Sequence, residues 1–231
     1  MTTPASPVSP ALDMSQRINR CLFKPASIAV VGASNDSQKP GGRVFQSILA
    51  NGYSGRLWPV NPKSTTIRDQ PAFPSIAALP GVPDLAIIAI PAPFVPAAVT
   101  ELAERGVGAT IVLTSGFGEK DAEGKRIEEA MCQVADRANM VLIGPNCSGF
   151  LTGSYKGKFA GIIPRLPGND VDIISGSGAT VDYLMECAEP RGISFGTVIN
   201  LGNSAQMGVE DLLAIYDQNY GPDSAAILLL Y

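Results

Sequence analysis

Ser27-Ile-Ala-Val-Val-Gly-Ala-Ser34, with a Gly-Gly pair close behind it at Gly41-Gly42, decides how this chain is read. Apolar residues run into a glycine, then small residues, a polar loop and a helix-like segment from Arg43 to Ala50. That order predicts strand, tight turn, helix. Such a turn gathers backbone N–H groups and a helix N-terminus at the carboxyl edge of a parallel sheet. The free donors and the helix dipole stabilise an anion there, usually a phosphate.

The turn departs from the dinucleotide fingerprint, which needs G-x-G-x-x-G and an acid closing the second strand. Ser34 stands at the second glycine, and the next glycines come only at Gly41 and Gly42. The second strand, Arg56-Leu-Trp-Pro-Val60, ends in Asn61-Pro62-Lys63. An acid at that point would accept hydrogen bonds from a ribose diol. A lysine is a compact positive charge and suits a phosphate. A nicotinamide dehydrogenase is thereby disfavoured, and a nucleotide with a phosphate on its ribose is favoured. Taken alone, Lys63 also reads as a solvated loop lysine, since surface lysines are common.

Outward from this turn, strands and helices alternate. Ser27–Val31, Leu57–Val60, Leu85–Ile90, Ala109–Leu113 and Val141–Ile143 are short and apolar, as buried parallel strands are. Arg43–Ala50, Ser75–Leu79, Val95–Arg105 and Ala122–Ala138 are the helix segments between them. Alternation of this kind predicts a parallel sheet covered on both faces, with every strand–helix loop on one edge. Those loops read Gly32-Ala-Ser34, Asn61-Pro-Lys63, Pro91-Ala-Pro93, Thr114-Ser-Gly-Phe-Gly-Glu119 and Gly144-Pro-Asn-Cys-Ser-Gly149. Each alone is ordinary turn chemistry. Together they line a crevice at the edge where open α/β sheets bind ligands.

The 231 residues carry a net charge of −4 and no basic run, which argues against nucleic-acid binding. No apolar stretch approaches the ~18 residues of a membrane span. Met1 to Asn19 is rich in Pro, Ser and Thr and lacks the apolar core of a signal peptide. The four cysteines are scattered and there is no histidine, so a structural zinc site and a histidine-activated nucleophile are both disfavoured. Reduced thiols point to a cytoplasmic location.

Four segments follow: a flexible leader (1–21), the alternating unit (22–150), a Gly- and Pro-rich linker (151–169) and a second unit (170–231). In the second unit Val171–Ile174, Ser194–Asn200 and Ala225–Leu230 read as strands, Ala179–Ala188 and Val209–Asn219 as helices. Three strands leave a hydrophobic sheet edge unpaired. The expectation is that further chain, or a partner, completes it.

Six segments together resemble the N-terminal part of the NDP-forming acyl-CoA synthetases, the family of the succinyl-CoA synthetase alpha subunit and the ADP-forming acetyl-CoA synthetases. They are Ala29-Val-Val-Gly-Ala-Ser34, Val60-Asn-Pro-Lys63, Ile90-Pro-Ala-Pro-Phe94, Leu113-Thr-Ser-Gly-Phe-Gly-Glu119, Gly144-Pro-Asn-Cys147 and Ile174-Ser-Gly-Ser-Gly178. The resemblance implies an α/β fold: a Rossmann-like CoA-binding domain, then the first part of a flavodoxin-like, succinyl-CoA synthetase-type domain. It implies coenzyme A phosphates near Gly32, Ala33, Ser34, Gly41, Gly42 and Arg43, with Asn61 and Lys63 at the nucleotide end. Pro91, Ala92, Ser115, Gly116, Phe117, Gly118 and Glu119 would line the adenine and pantetheine path. Asn146 and Cys147 would sit near the thiol. Without a histidine to activate it, Cys147 is read as turn packing rather than as a nucleophile.

For the second unit the resemblance implies two turns that hold the phosphate of a phosphohistidine: Ser175, Gly176, Ser177, Gly178 and Ala179 in one, Gly202, Asn203 and Ser204 in the other. Ala179-Thr-Val-Asp182 replaces the threonine- and tyrosine-rich stretch of succinate enzymes, so another carboxylic acid is implied. No catalytic residue is expected within the chain. The histidine, and an ATP-grasp domain or subunit using ATP or ADP with magnesium, are expected outside these residues. A homo-oligomer is a further expectation. The alternative is a non-catalytic, regulatory module that binds coenzyme A or a nucleotide.

Overall fold

The computed structural model describes residues 13–164, 168–222 and 224–231. The first twelve residues of the expected leader lie outside the described residues. From Asp13 onward that segment is folded. Asp13 caps α1 (Met14–Arg17), which runs into a π-helical turn, Ile18–Phe23, whose Ile18, Cys21 and Leu22 are buried.

The alternating unit continues with β1 (Ser27–Val31), α2 (Pro40–Ala50), β2 (Arg56–Val60) and a tight hairpin of β3 (Thr66–Ile67) and β4 (Gln70–Pro71). Then come β5 (Leu85–Ile88), α3 (Val95–Glu104), β6 (Ala109–Val112), α4 (Ala122–Arg137) and β7 (Val141–Ile143). The five long strands form one parallel sheet in the order β2-β1-β5-β6-β7. Ile28 pairs with Leu57 on one side and Leu85 on the other. Successive side chains face opposite ways along a strand. Ile28 and Val30 therefore join Val44, Phe45 and Ile48 of α2 in one core, while Ala29 and Val31 join residues of α3 and α4 in another.

Ser75–Leu79 is a turn rather than the expected helix: Ala78 N–H donates to Ser75 Oγ at 3.2 Å and Leu79 N–H to the Ile76 carbonyl at 3.1 Å. Pro74 and Pro80 bracket only five residues, too few to nucleate a helix.

The second unit holds β8 (Gly149–Leu151), β9 (Lys156–Lys158), β10 (Val171–Ser175), α5 (Gly178–Ala188), β11 (Phe195–Asn200), α6 (Val209–Asn219) and β12 (Ile227–Leu230). Its sheet has five strands rather than three, in the order β12-β10-β11-β8-β9. The expected linker supplies the difference. Leu151 ends β8, and β9 lies wholly inside residues 151–169. The two pair antiparallel, and β8 pairs antiparallel with β11. The edge beside β11 is thus covered by the chain's own strands. β12 stands at the other end, with Ile227 58% and Leu230 43% exposed.

Lys158 explains why β9 was illegible. Its side chain is fully buried, and its ammonium donates to the Asp182 carboxylate on α5 and to the Ala160 carbonyl. The two units share a core: Phe150, Tyr155, Ile174 and Ile199 cluster with Ile28 and Phe45. Among the described residues no helix is long and apolar enough to cross a membrane, and no metal-ligand cluster occurs.

Candidate functional site

At the carboxyl edge of the first sheet, Gly32 N–H donates to the Val60 carbonyl at 3.0 Å and the backbone turns with φ +92°. A Cβ on Gly41 would lie 2.0 Å from the Gly32 carbonyl oxygen. The two glycines therefore let α2 lie directly against the turn after β1. α2 opens with Pro40 at its first position, where a missing N–H costs nothing. Gly41, Gly42 and Arg43 thus lie in the first helical turn, and the helix begins three residues before the expected Arg43. Arg43 Nε donates to the Ser37 carbonyl at 3.1 Å. Ser34 Oγ accepts from Asp36 N–H at 3.0 Å, and Ala33 is buried.

Asn61 is a builder of this edge. Its Nδ2 donates to the Ala33 carbonyl at 2.7 Å, and its Oδ1 accepts from the N–H groups of Lys63 (2.7 Å) and Ser64 (3.1 Å). The side chain thereby joins the first turn to the end of β2 and presents Lys63 at the rim. Lys63 is exposed, and its ammonium has no acceptor among the described residues. Asn35 and Arg68, which the sequence did not single out, dock the β3–β4 hairpin here. Asn35 Nδ2 donates to the Thr66 carbonyl (3.0 Å) and its Oδ1 accepts from Arg68 N–H (2.8 Å).

The next loops lie side by side. Pro91 starts a single 3-10 turn, Ala92–Phe94, and a Cβ on Gly116 would sit 3.5 Å from Ala92 Cβ. Thr114 Oγ1 donates to the Ile90 carbonyl at 2.7 Å. Ser115 is exposed, whereas Phe117 is buried in the core beneath and does not reach the crevice.

The N–H groups of this loop end on two carboxylates. Glu119 accepts from Gly116 N–H and, at 3.3 Å, from Phe117 N–H; Glu128 accepts from Gly118 N–H at 3.2 Å. Glu128 is 1% exposed and also accepts from Lys125 Nζ at 2.8 Å. It lies on the buried stripe of α4 with Gly124, Met131 and Ala135, and an acid on an apolar stripe was the available sequence signal. Burial works to raise the Glu119 carboxyl. Hydrogen bonds from Gly116, Asn203 and Phe117 outweigh it and hold the group below its ordinary range.

Asn203, expected at a phosphate, meets these carboxylates instead. Its Nδ2 donates to Glu119 Oε2 at 2.6 Å and to Glu128 Oε2 at 2.8 Å, and its Oδ1 accepts from Asn146 Nδ2 at 3.3 Å. The backbone agrees: Asn203 N–H donates to the Pro145 carbonyl at 2.9 Å and Asn146 N–H to the Thr114 carbonyl at 3.0 Å. The two edges therefore face each other across the Gly144-Pro-Asn turn.

Cys147 is buried in this seam. Its thiol donates to the Asn200 carbonyl at 2.7 Å, and burial pushes it up to about 12, against the hydrogen bond from Gly149 N–H. A thiol so placed is inert. Asn200, also buried and unforeseen, accepts from Ser148 N–H (2.6 Å) and donates to the Ser175 carbonyl (3.1 Å).

At the second edge, Ser177 caps α5, accepting from Thr180 N–H at 3.3 Å, and Ser175 Oγ accepts from Ser177 N–H at 3.0 Å. Both hydroxyls are engaged locally. Gly176 N–H donates to the Tyr231 carbonyl at 3.0 Å. The N–H groups of Gly178 and Ala179 have no acceptor among the described residues. Beside them stands the buried Ser148 Oγ, itself unpartnered; a Cβ on Gly178 would lie 3.2 Å from it.

The second turn is close, with the Gly202 carbonyl oxygen 3.7 Å from where a Cβ on Gly176 would sit. It does not lead straight into a helix. α6 begins five residues after Ser204, and its first turn carries Glu210 and Asp211. Asp211 accepts from Gly208 N–H at 2.8 Å, and the two carboxylates in this first turn disfavour a further anion at the helix start. Of the two turns, the first therefore opens α5, and the second borders it without opening a helix of its own.

Residues 26–152 match the CoA binding domain family, and residues 167–231 match the succinyl-CoA ligase like flavodoxin domain. The alpha subunit of acetate–CoA ligase (ADP-forming) II of Pyrococcus furiosus is 36% identical over 192 residues, 83% of this chain and 42% of that protein. The 4-hydroxybutyrate–CoA ligase (ADP-forming) of Nitrosopumilus maritimus is 33% identical over 198 residues, 84% of this chain and 28% of that protein. The solved dinucleotide forming acetyl-coenzyme A synthetase 1 of Ca. Korarchaeum cryptofilum, in complex with phosphate and ADP, aligns with a TM-score of 0.83 and 31% identity. That alignment covers 91% of this chain and 44% of that one. The chain spans less than half the length of each of these relatives. It belongs to the CoA binding domain family, and with the flavodoxin domain behind it is built as the N-terminal part of an NDP-forming acyl-CoA synthetase.

Proposed function

We propose that these residues bind coenzyme A at the first edge and hold an anion at the second, as part of an enzyme that joins a carboxylic acid to coenzyme A with ATP. The whole reaction yields acyl-CoA, ADP and phosphate, passing through an acyl phosphate and a phosphohistidine. The histidine and the ATP-grasp region, with its nucleotide and magnesium, come from outside the 231 residues, which contain no histidine. Three of the similar proteins are named as alpha subunits, which supports a separate partner subunit. The acid is left open. The relatives' names include acetate, 4-hydroxybutyrate and trans-ferulate.

The observation that carries the coenzyme A reading is Lys63. Asn61 fixes its backbone beside the Gly32–Ser34 turn and leaves its ammonium without a partner. A 3′-phosphate on the nucleotide ribose is the anion that fits, because an acid at this place would favour a free diol. The anion reading rests on Gly178, Ala179 and Ser148. Two free N–H groups at a helix start, beside an orphaned buried hydroxyl, match the oxygens of a phosphate.

Calorimetry with coenzyme A and dephospho-coenzyme A tests the first reading. Dephospho-coenzyme A should bind more weakly. Lys63→Ala should cost coenzyme A roughly 1.5–3 kcal/mol, the range for a hydrogen bond to a charged group. It should leave dephospho-coenzyme A unchanged. Equal affinity of the wild type for the two ligands removes the ribose-phosphate assignment.

A further inference from the structure

Every N–H from Gly116 to Gly118 is spent on an internal carboxylate, and the two carboxylates differ in freedom. Glu128 is buried and ion-paired to Lys125. Glu119 is exposed at the rim, held by hydrogen bonds from Gly116, Phe117 and Asn203 and by its own backbone N–H. One is a fixed post and the other an arm that can leave without stranding a buried charge. The donors the arm occupies lie against the Pro91–Ala92 loop, inside the crevice, since Gly116 and Ala92 are in near contact.

We propose that Glu119 is a gate: its carboxylate stands in for a ligand at the Gly116 and Phe117 donors, and coenzyme A displaces it. The inference rests on the coenzyme A reading above. Asn203 carries the displacement to the second unit. While Glu119 is in place, the Asn203 side-chain amide bridges both carboxylates, and the backbone N–H of the same residue holds the Gly202–Ser204 turn to the Pro145 carbonyl. When the arm leaves, Asn203 loses one of its two carboxylates and keeps Glu128, Asn146 and the Pro145 carbonyl, and the turn beside α5 loosens. Occupancy at one edge thereby changes the turn that borders the other.

The gate reverses what a direct ligand would do. A built-in competitor lowers apparent affinity by the fraction of molecules in which the donors are free. Removing it by Glu119→Ala should tighten coenzyme A by about fivefold or more, with Glu119→Gln in between. Calorimetry on the wild type and both variants reads this directly. Weaker or unchanged binding by Glu119→Ala, with the wild type still binding, overturns the gate and leaves the coenzyme A reading standing. No binding by any of the three overturns both.

Hydrogen exchange reads the link. Coenzyme A should speed exchange at residues 202–205 of the wild type by about fivefold, the lower end of ordinary coupling between sites. In Asn203→Ala and Glu119→Ala that segment should exchange fast already and no longer respond. A merely structural Asn203 would raise exchange in the free protein and leave the response intact, which overturns the link. An unchanged wild-type segment does the same.

Discussion

The turns after β1 and after β10 are both glycine-rich connections from a parallel strand to a helix, yet their glycines do opposite work. After β1, Gly41 brings backbone onto backbone: the space a side chain would fill is already taken by the Gly32 carbonyl. After β10, a Cβ on Gly176 would stand 3.7 Å from the Gly202 carbonyl oxygen, and the N–H groups of Gly178 and Ala179 stay free. Gly41 packs a helix close, whereas Gly176 leaves room beside a helix start. The same residue type in the same topological place does not say which.

The helix bearing the open turn is held by charge. Asp182→Ala leaves the Lys158 ammonium buried with only the Ala160 carbonyl as partner, and should cost about 3–5 kcal/mol. Urea unfolding should show the midpoint fall, while Lys158→Met paired with Asp182→Leu should restore most of it. A small effect of Asp182→Ala would mean that α5 is positioned by its apolar face alone.

Gly41→Ala tests the closed turn. Its methyl would fall on backbone that cannot swing aside, so α2 must shift, at a cost of roughly 1–3 kcal/mol. Gly176→Ala makes the same change at the open turn and should stay within about 0.5 kcal/mol, because nothing stands in its way. Thermal melts of the two variants compare the turns directly. Equal losses would erase the distinction drawn between them.

The smallest effect concerns pH. Asp172 lies buried at the start of β10, and burial raises its carboxyl above the ordinary 3.8 despite a hydrogen bond from Thr197 N–H. The folded chain then holds a proton that the unfolded chain has released. Stability from this group is fully present below 3.8 and is lost as pH rises through the raised folded value. Asp172→Asn should flatten that part of the stability profile and be neutral or slightly stabilising at pH 7. Melting temperature followed across pH, wild type against variant, checks the sign.

Much of the fold was legible because its signals are local. Five apolar runs bounded by turn residues became five parallel strands, with ends shifted by a residue or two. Pro40 carried a helix-start signal that the glycines behind it obscured. β9 was hidden because Lys156-Gly-Lys158 is polar; only Asp182, 24 positions later, makes a lysine acceptable in a core. The site was legible as a set of loops, not as a set of partners. Cys147 and Phe117 are on those loops but turn into the core, and Asn203 joins Glu119 and Glu128 instead of standing clear for an anion.

By itself the sequence determined the two strand–turn–helix series and the edge of each sheet on which ligand chemistry falls. Apolar runs, prolines and glycines act over a few residues, so they need no distant partner to be read. Only the tertiary structure decided which glycine is filled, which thiol is buried and which carboxylate answers which amide. Those facts depend on groups far apart in the chain, such as Glu119 and Asn203, 84 positions apart, which meet only after two sheets have packed on one core.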